Sequence, residues 1–252
     1  MSRSPIRLPW TIDGGIGSRA RIGLIVLETD QTVENEIRSL PLDDVAIHHA
    51  RVPNDAHVTR DSLKAMEQHL PAAAGLLPEA FGFDVIGYAC TSAATLIGDE
   101  GVARAIRSVH PDVPVTNPIR AAVAAFSTLG TTRIGVVTPY SEVVTLPVID
   151  RFEQDGIEVA ALGSYLIEDD LTIGRLSPST IAEGVRAVGA EADCDAYFVS
   201  CTSVRLFADV ASLEADIGAP VISSNLALAW HLLRLAGIDD RFTGLGTLFA
   251  EA

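Results

Sequence analysis

The chain has 252 residues, 48 % of them hydrophobic, with 33 Asp and Glu against 18 Lys and Arg and a formal charge of −15. That is length and apolar content for one large domain or two small ones, and it excludes a disordered chain. The acidity also excludes a general attraction to nucleic acid or anionic membrane, since no basic patch offsets it and Lys64 is the single lysine.

Residues 1–20 carry Pro5, Pro9, Gly14, Gly15 and Gly17 without an apolar signal core, and are expected to form a flexible arm. The pattern then predicts a buried strand at Arg21–Leu27, a polar helix near Gln31–Ser39, a strand at Val45–Val52 and a helix from about Ser62 to Leu77. A strand at Asp84–Ala89 and a helix from about Ala93 to Val109 follow. Short, nearly all-apolar strands between helical segments imply parallel sheet covered on both faces, an α/β architecture.

The same grammar then restarts. Arg133–Thr138 (RIGVVT) restates Arg21–Val26 (RIGLIV), and Asp195–Ser203 (DAYFVSCTS) restates Asp84–Ser92 (DVIGYACTS) at an offset that differs by one residue. More loosely, Pro114–Asn117 and Pro220–Asn225 each lead into an Ala/Leu-rich helix. The chain is expected to be an internal duplication with two pseudosymmetric lobes, residues 21–130 and 131–252, around an active-site cleft, its final helix packing across the junction. No apolar run reaches the ~20 residues of a bilayer span. With no export signal, a cytoplasmic protein with free thiols is expected.

Both repeats end a strand on Cys-Thr-Ser, at Cys90-Thr91-Ser92 and Cys201-Thr202-Ser203. Ligands of parallel sheets bind at the carboxyl ends of strands, where a following helix offers unpaired N–H groups and a positive dipole end. A cysteine there is expected to favour thiolate, with the Thr and Ser hydroxyls holding a carboxylate or oxyanion. A lone cysteine after an apolar strand is usually a small core residue. The repeated polar context is what argues for a catalytic pair, and Cys194, which has no counterpart, is assigned no role.

Other candidates carry less. Gly15-x-Gly17-x-x-Ala20 precedes a strand where a dinucleotide fingerprint must follow one. His48 and His49 would point to opposite faces of a strand, His231 is expected to be a core histidine, and Ser177-Pro178 marks a helix start. Without Cys-x-x-Cys or His-Glu-x-x-His, no metal is expected.

The Cys-Thr-Ser pair, together with RIGLIV, Thr32-Val33-Glu34, Thr138-Pro139-Tyr140, Gly174-Arg175-Leu176 and Ser223-Ser224-Asn225, resembles the maleate cis-trans isomerase and arylmalonate decarboxylase branch of the aspartate/glutamate racemase superfamily. The runs around Asn54-Asp55-Ala56 and Ala229-Trp230-His231 are most similar to the ectoine-utilisation proteins of that branch. The resemblance implies two α/β lobes, no cofactor, and catalysis by Cys90 and Cys201. Thr91, Ser92, Tyr140, Thr202, Ser203 and Asn225 are expected to bind substrate. The decarboxylases of the branch carry a small residue in place of the first cysteine, so Cys90 favours an isomerase or racemase.

The maleate isomerases have an asparagine where this chain has Asp30, and their second pocket asparagine falls near Asp169-Asp170-Leu171. The expected substrate is therefore a small carboxylate bearing a cationic amino or amidine group, amino-acid- or ectoine-derived, with the cation on Asp30. The competing reading is that Asp30 caps the helix that follows. Racemisation by proton transfer between two thiols, cis-trans isomerisation by covalent addition, decarboxylation of a malonate-type acid and simple ligand binding all remain open at this point, as does the size of an expected homo-oligomer, dimer or tetramer.

Overall fold

The structure, a computed structural model, describes residues 5–252. The first half runs β1 (Ala20–Leu27), α1 (Val33–Arg38), β2 (Val45–Val52), α2 (Arg60–Ala65), α3 (Leu70–Ala74), β3 (Val85–Ala89), α4 (Thr91–Ile97), α5 (Asp99–Arg107), β4 (Val115–Thr116) and α6 (Pro118–Leu129). The second runs β5 (Arg133–Thr138), α7 (Glu142–Gln154), β6 (Glu158–Ser164), α8 (Asp170–Ile173), α9 (Pro178–Gly189), β7 (Ala196–Val199), α10 (Val210–Ile217), β8 (Val221–Ser223), α11 (Ser224–Leu235) and α12 (Gly246–Glu251). Two four-stranded sheets result, ordered β2-β1-β3-β4 and β6-β5-β7-β8, and every pairing in them is parallel. The identical order is the structural form of the sequence repeat.

The repeated Arg-Ile-Gly has a packing reason. A Cβ on Gly23 would stand 2.9 Å from Leu77 and Ile86, and one on Gly135 would stand 2.7 Å from the Tyr197 ring. Only glycine lets neighbouring side chains close over each central strand.

Two expected helices are broken. Gly98, at φ +83°, ends α4 and begins α5 where a single helix over 93–109 was expected, a conformation glycine adopts without steric cost. The segment 62–77 divides into α2, a 3-10 turn over Met66–His69, and α3, which carries Pro71 in its first turn. Proline belongs there because that position needs no N–H partner.

The halves exchange their last helices. Phe126 of α6 joins Phe152 and Phe198 in an edge-to-face cluster at 5.8 and 6.3 Å inside the second half. Leu232 of α11 lies over Gly87 of β3, in the first sheet. The two helices pack on each other, and the last helix of the chain is the short α12. Residues 5–19 form no helix or strand, and their large apolar side chains Ile6, Leu8, Trp10, Ile12 and Ile16 are exposed. Among the described residues no helix is long and apolar enough to cross a membrane.

Candidate active site

The carboxyl ends of β3 and β7 converge on one cavity of about 20 Å³. Cys90, Thr91, Ser92, Tyr140, Cys201, Thr202 and Ser203 all line it, so seven of the nine expected site residues meet there. A cavity this size holds about one water molecule. A larger groove of about 580 Å³ beside Phe207 and Phe242 contains no thiol.

The two junctions interlock across the pseudo-twofold. The Thr91 hydroxyl donates to Ser224 Oγ at 2.7 Å, and Ser224 Oγ accepts the Cys201 N–H at 3.0 Å. In return the Thr202 hydroxyl donates to the carbonyl of Ala89 at 3.3 Å, and the Ser203 hydroxyl donates to Asp170 Oδ1 at 3.0 Å. Thr91, Thr202 and Ser203 thus already donate their protons to protein partners and position the thiols. The Ser92 and Tyr140 hydroxyls and the first N–H groups of α4, which have no intrahelical acceptor, face the two sulfurs and are the donors a substrate anion would meet there.

The halves differ at the cysteines themselves. Cys90 is the N-cap of α4 in extended geometry, φ −151°, as expected. Cys201 opens a turn, not a helix, and α10 starts only at Val210. Glu36 explains this: its Oε1 accepts the N–H groups of Leu206 and Phe207 at 2.6 and 2.9 Å and so holds the loop out of helical geometry. Cys201 itself has φ +95°, in a region where a side chain crowds the backbone at a cost of about 1–3 kcal/mol and which recurs at functional sites.

Burial reverses the expectation of a resting thiolate. Both cysteines are buried. Removal from water pushes the Cys90 thiol up to about 11, against the pull of the Ala93 N–H and the Ser92 hydroxyl. Cys201 is raised further, by burial first and then by the charge of Asp170, with the Tyr140 hydroxyl and the Ser203 N–H partly offsetting them. Desolvation outweighs the dipole of so short a helix, and both sulfurs rest as thiols.

Asp30 and Asn225 do not line the cavity. Asp30 Oδ1 accepts the N–H groups of Thr32 and Val33 at 2.7 and 2.9 Å, holding the start of α1; the capping reading is the one realised. Burial raises its carboxyl to about 6. Asn225 donates to Glu36 at 2.7 Å and to the Thr202 carbonyl at 2.8 Å, so it fixes the loop behind Cys201 and its amide protons are not free for substrate. His231 behaves as a core histidine, its Nδ1 2.8 Å from the Thr116 hydroxyl, and burial lowers it to about 4.

Asp170 was not among the expected site residues, although the resemblance placed a pocket asparagine of the family near it. It is 5 % exposed and lines the cavity, and it accepts hydroxyl protons from Thr29 and Ser203. Its place depends on a clasp in which Val58 N–H donates to Glu168 O at 2.9 Å and Asp170 N–H to Ala56 O at 3.0 Å, around an antiparallel bridge between His57 and Asp169. The clasp roofs the cavity with Val58 and Asp170, and Asn54, beside it, donates to Thr29 Oγ1 at 2.9 Å.

Twinned parallel sheets with a cysteine from each facing one closed cavity define a two-lobed α/β enzyme that works through a thiol pair. The chain belongs to the arylmalonate decarboxylase family, whose model matches residues 22–249. It is 26 % identical over 245 residues to the maleate isomerase of Alcaligenes faecalis, covering 91 % of this chain and 96 % of that one. To the maleate isomerase of Geobacillus stearothermophilus it is 27 % identical over 246 residues, 91 % and 97 % of the two chains. The maleate isomerase Iso from Pseudomonas putida S16 has a similar structure, with a TM-score of 0.84 and 28 % identity over 92 % of this chain and 98 % of that one. With Cys90 and Cys201 both in place, this chain is a cysteine-dependent isomerase.

Proposed function

We propose that the protein isomerises a small carboxylate, amino-acid- or ectoine-derived, held between Cys90 and Cys201. The observation that carries this is the meeting of two thiols from duplicated positions in one cavity with Tyr140 beside Cys201. In a racemisation, one sulfur as thiolate takes the proton next to the carboxylate and the other, as thiol, returns one to the opposite face. In a cis-trans isomerisation, Cys90 adds to the double bond, the resulting single bond rotates, and the sulfur is expelled. The maleate isomerases at near full-length coverage support the second route, and the pseudosymmetric thiols support the first.

Turnover of small amino acids and unsaturated acids in deuterated water separates them. Deuterium at the substrate α-carbon marks proton transfer, and a mass increment on the Cys90 peptide after acid quench marks addition. Full activity in both Cys90→Ser and Cys201→Ser would remove the thiol pair from the chemistry. A homo-oligomer in the cytoplasm is part of the same proposal; three free cysteines, two of them required as thiols, suit a reducing compartment.

A further inference from the structure

Asp170 and Asp55 are the charged residues lining the catalytic cavity, and among the described residues no arginine, lysine or histidine reaches it. Arg51, at the end of β2, is turned to the carbonyls of Leu27, Glu28 and Asp30 and to Glu34. An enzyme built for a dianion would need cationic or multiple neutral donors at both ends of its substrate. Here the lining offers the Ser92 hydroxyl, the start of α4 and one buried carboxylate, Asp170.

The hydrogen bonding at Asp170 shows what that carboxylate is free to do. Each oxygen receives one hydroxyl proton, from Thr29 on Oδ2 and from Ser203 on Oδ1. A carboxylate oxygen has two acceptor directions, so each keeps one in reserve. The neighbouring Asn54 has spent both amide N–H groups, on Thr29 Oγ1 and the Asp55 carbonyl, and its oxygen accepts the Thr29 N–H, but it carries no charge. Asp55 is exposed and accepts the His57 N–H. Asp170 is therefore the buried carboxylate of the cavity lining, with acceptor capacity left on both oxygens.

We infer that Asp170 is the specificity residue of this site and takes the cationic nitrogen, ammonium or amidinium, of a zwitterionic substrate whose carboxylate lies toward Ser92 and α4. This rests on the proposed isomerase reading and deepens it by naming the substrate class. It also moves the cation from Asp30, which holds α1, to an acid that touches the cavity. Selectivity follows from charge: a second carboxylate would meet Asp170 at hydrogen-bond range in a site closed to water, whereas an ammonium would complete two open acceptor directions. Seating a cation there also cancels a negative charge that acts on both sulfurs, so the correct substrate eases formation of the thiolate it needs.

The test is a binding measurement that needs no turnover. Calorimetric titration of the Cys90→Ser protein with maleate and with cis-4-aminocrotonate, which carries an ammoniomethyl group where maleate has its second carboxylate, gives the preference directly. The expected result is that aminocrotonate binds at least about tenfold more tightly, and that adding Asp170→Asn reverses the order. Binding of neither probe, a preference for maleate before Asp170 is changed, or a ratio unaltered by Asp170→Asn would overturn the inference. The Cys90→Ser measurement stands by itself should the double variant fold poorly. Failure of the isomerase reading would be seen separately, as full activity in the cysteine variants with the binding preference intact.

Discussion

Replacing Asp30 with asparagine separates a structural acid from a substrate-binding one. Asparagine keeps an oxygen able to accept the Thr32 and Val33 N–H groups, while the buried charge is removed. The Asp30 carboxyl is raised by burial from 3.8 to about 6. Between those values the native state binds a proton that the unfolded chain has released, so stability falls as pH rises through the window. At 1.36 kcal/mol per unit the ionised carboxylate costs the native protein about 3 kcal/mol once pH exceeds 6, of which about 2 kcal/mol develops between pH 4.5 and 7.5. Asp30→Asn has no such titration. Urea unfolding of both proteins at those two pH values should show the variant gaining about 2 kcal/mol on wild type in going from the lower to the higher. A difference independent of pH would refute the reasoning. So would a large change in substrate preference, because Asp30 does not line the cavity.

Four further outcomes are expected. With Cys90 raised to about 11, the thiolate fraction of the free enzyme grows with pH, so kcat/KM should climb about tenfold per unit from pH 7 to 10; a plateau above pH 7 would contradict resting thiols. Iodoacetamide at pH 8 should modify the partly exposed Cys194 before the buried Cys90 and Cys201, as read by peptide mass spectrometry. Asp170→Asn should speed alkylation of both buried cysteines, since it removes a charge that disfavours their thiolates. At Cys201, with φ +95°, glycine should give a protein about 1 kcal/mol more stable than alanine does, and both variants should lose at least about 10³-fold in kcat; equal stabilities by thermal unfolding would remove the strain.

What could be read from the sequence was what is local or repeated. The central strands are continuous apolar runs because both of their faces are covered; Val45–Val52 has the predicted ends, and the repeated hexapeptide Arg133–Thr138 is itself a strand. The duplicated Cys-Thr-Ser pointed to the cavity because it repeats at strand ends that the topology makes equivalent. Asp170 was marked only through the resemblance, as lying near a pocket position, and no local pattern or repeat pointed to it. It reaches the site through Thr29, 141 positions away, and through a clasp whose two strands have no shared pattern. The loop after Cys201 misled for a related reason: its departure from helix comes from the side chain of Glu36, 170 positions from Leu206. Thiolate stabilisation was overestimated because a helix terminus is visible in a sequence whereas complete burial of the sulfur is a property of the assembled lobes.

The exchange of α6 and α11 has a consequence for how the molecule holds together and opens. Each half lends the other part of its interior: Phe126 completes the ring cluster around Phe152 and Phe198, and Leu232 covers β3 at Gly87. The chain is in effect a swapped pair tethered end to end. Prising the halves apart would bare both interiors at once. Cutting the backbone between Gly130 and Arg133 should correspondingly yield two fragments that fold only on mixing, and that recover one common cavity when they do.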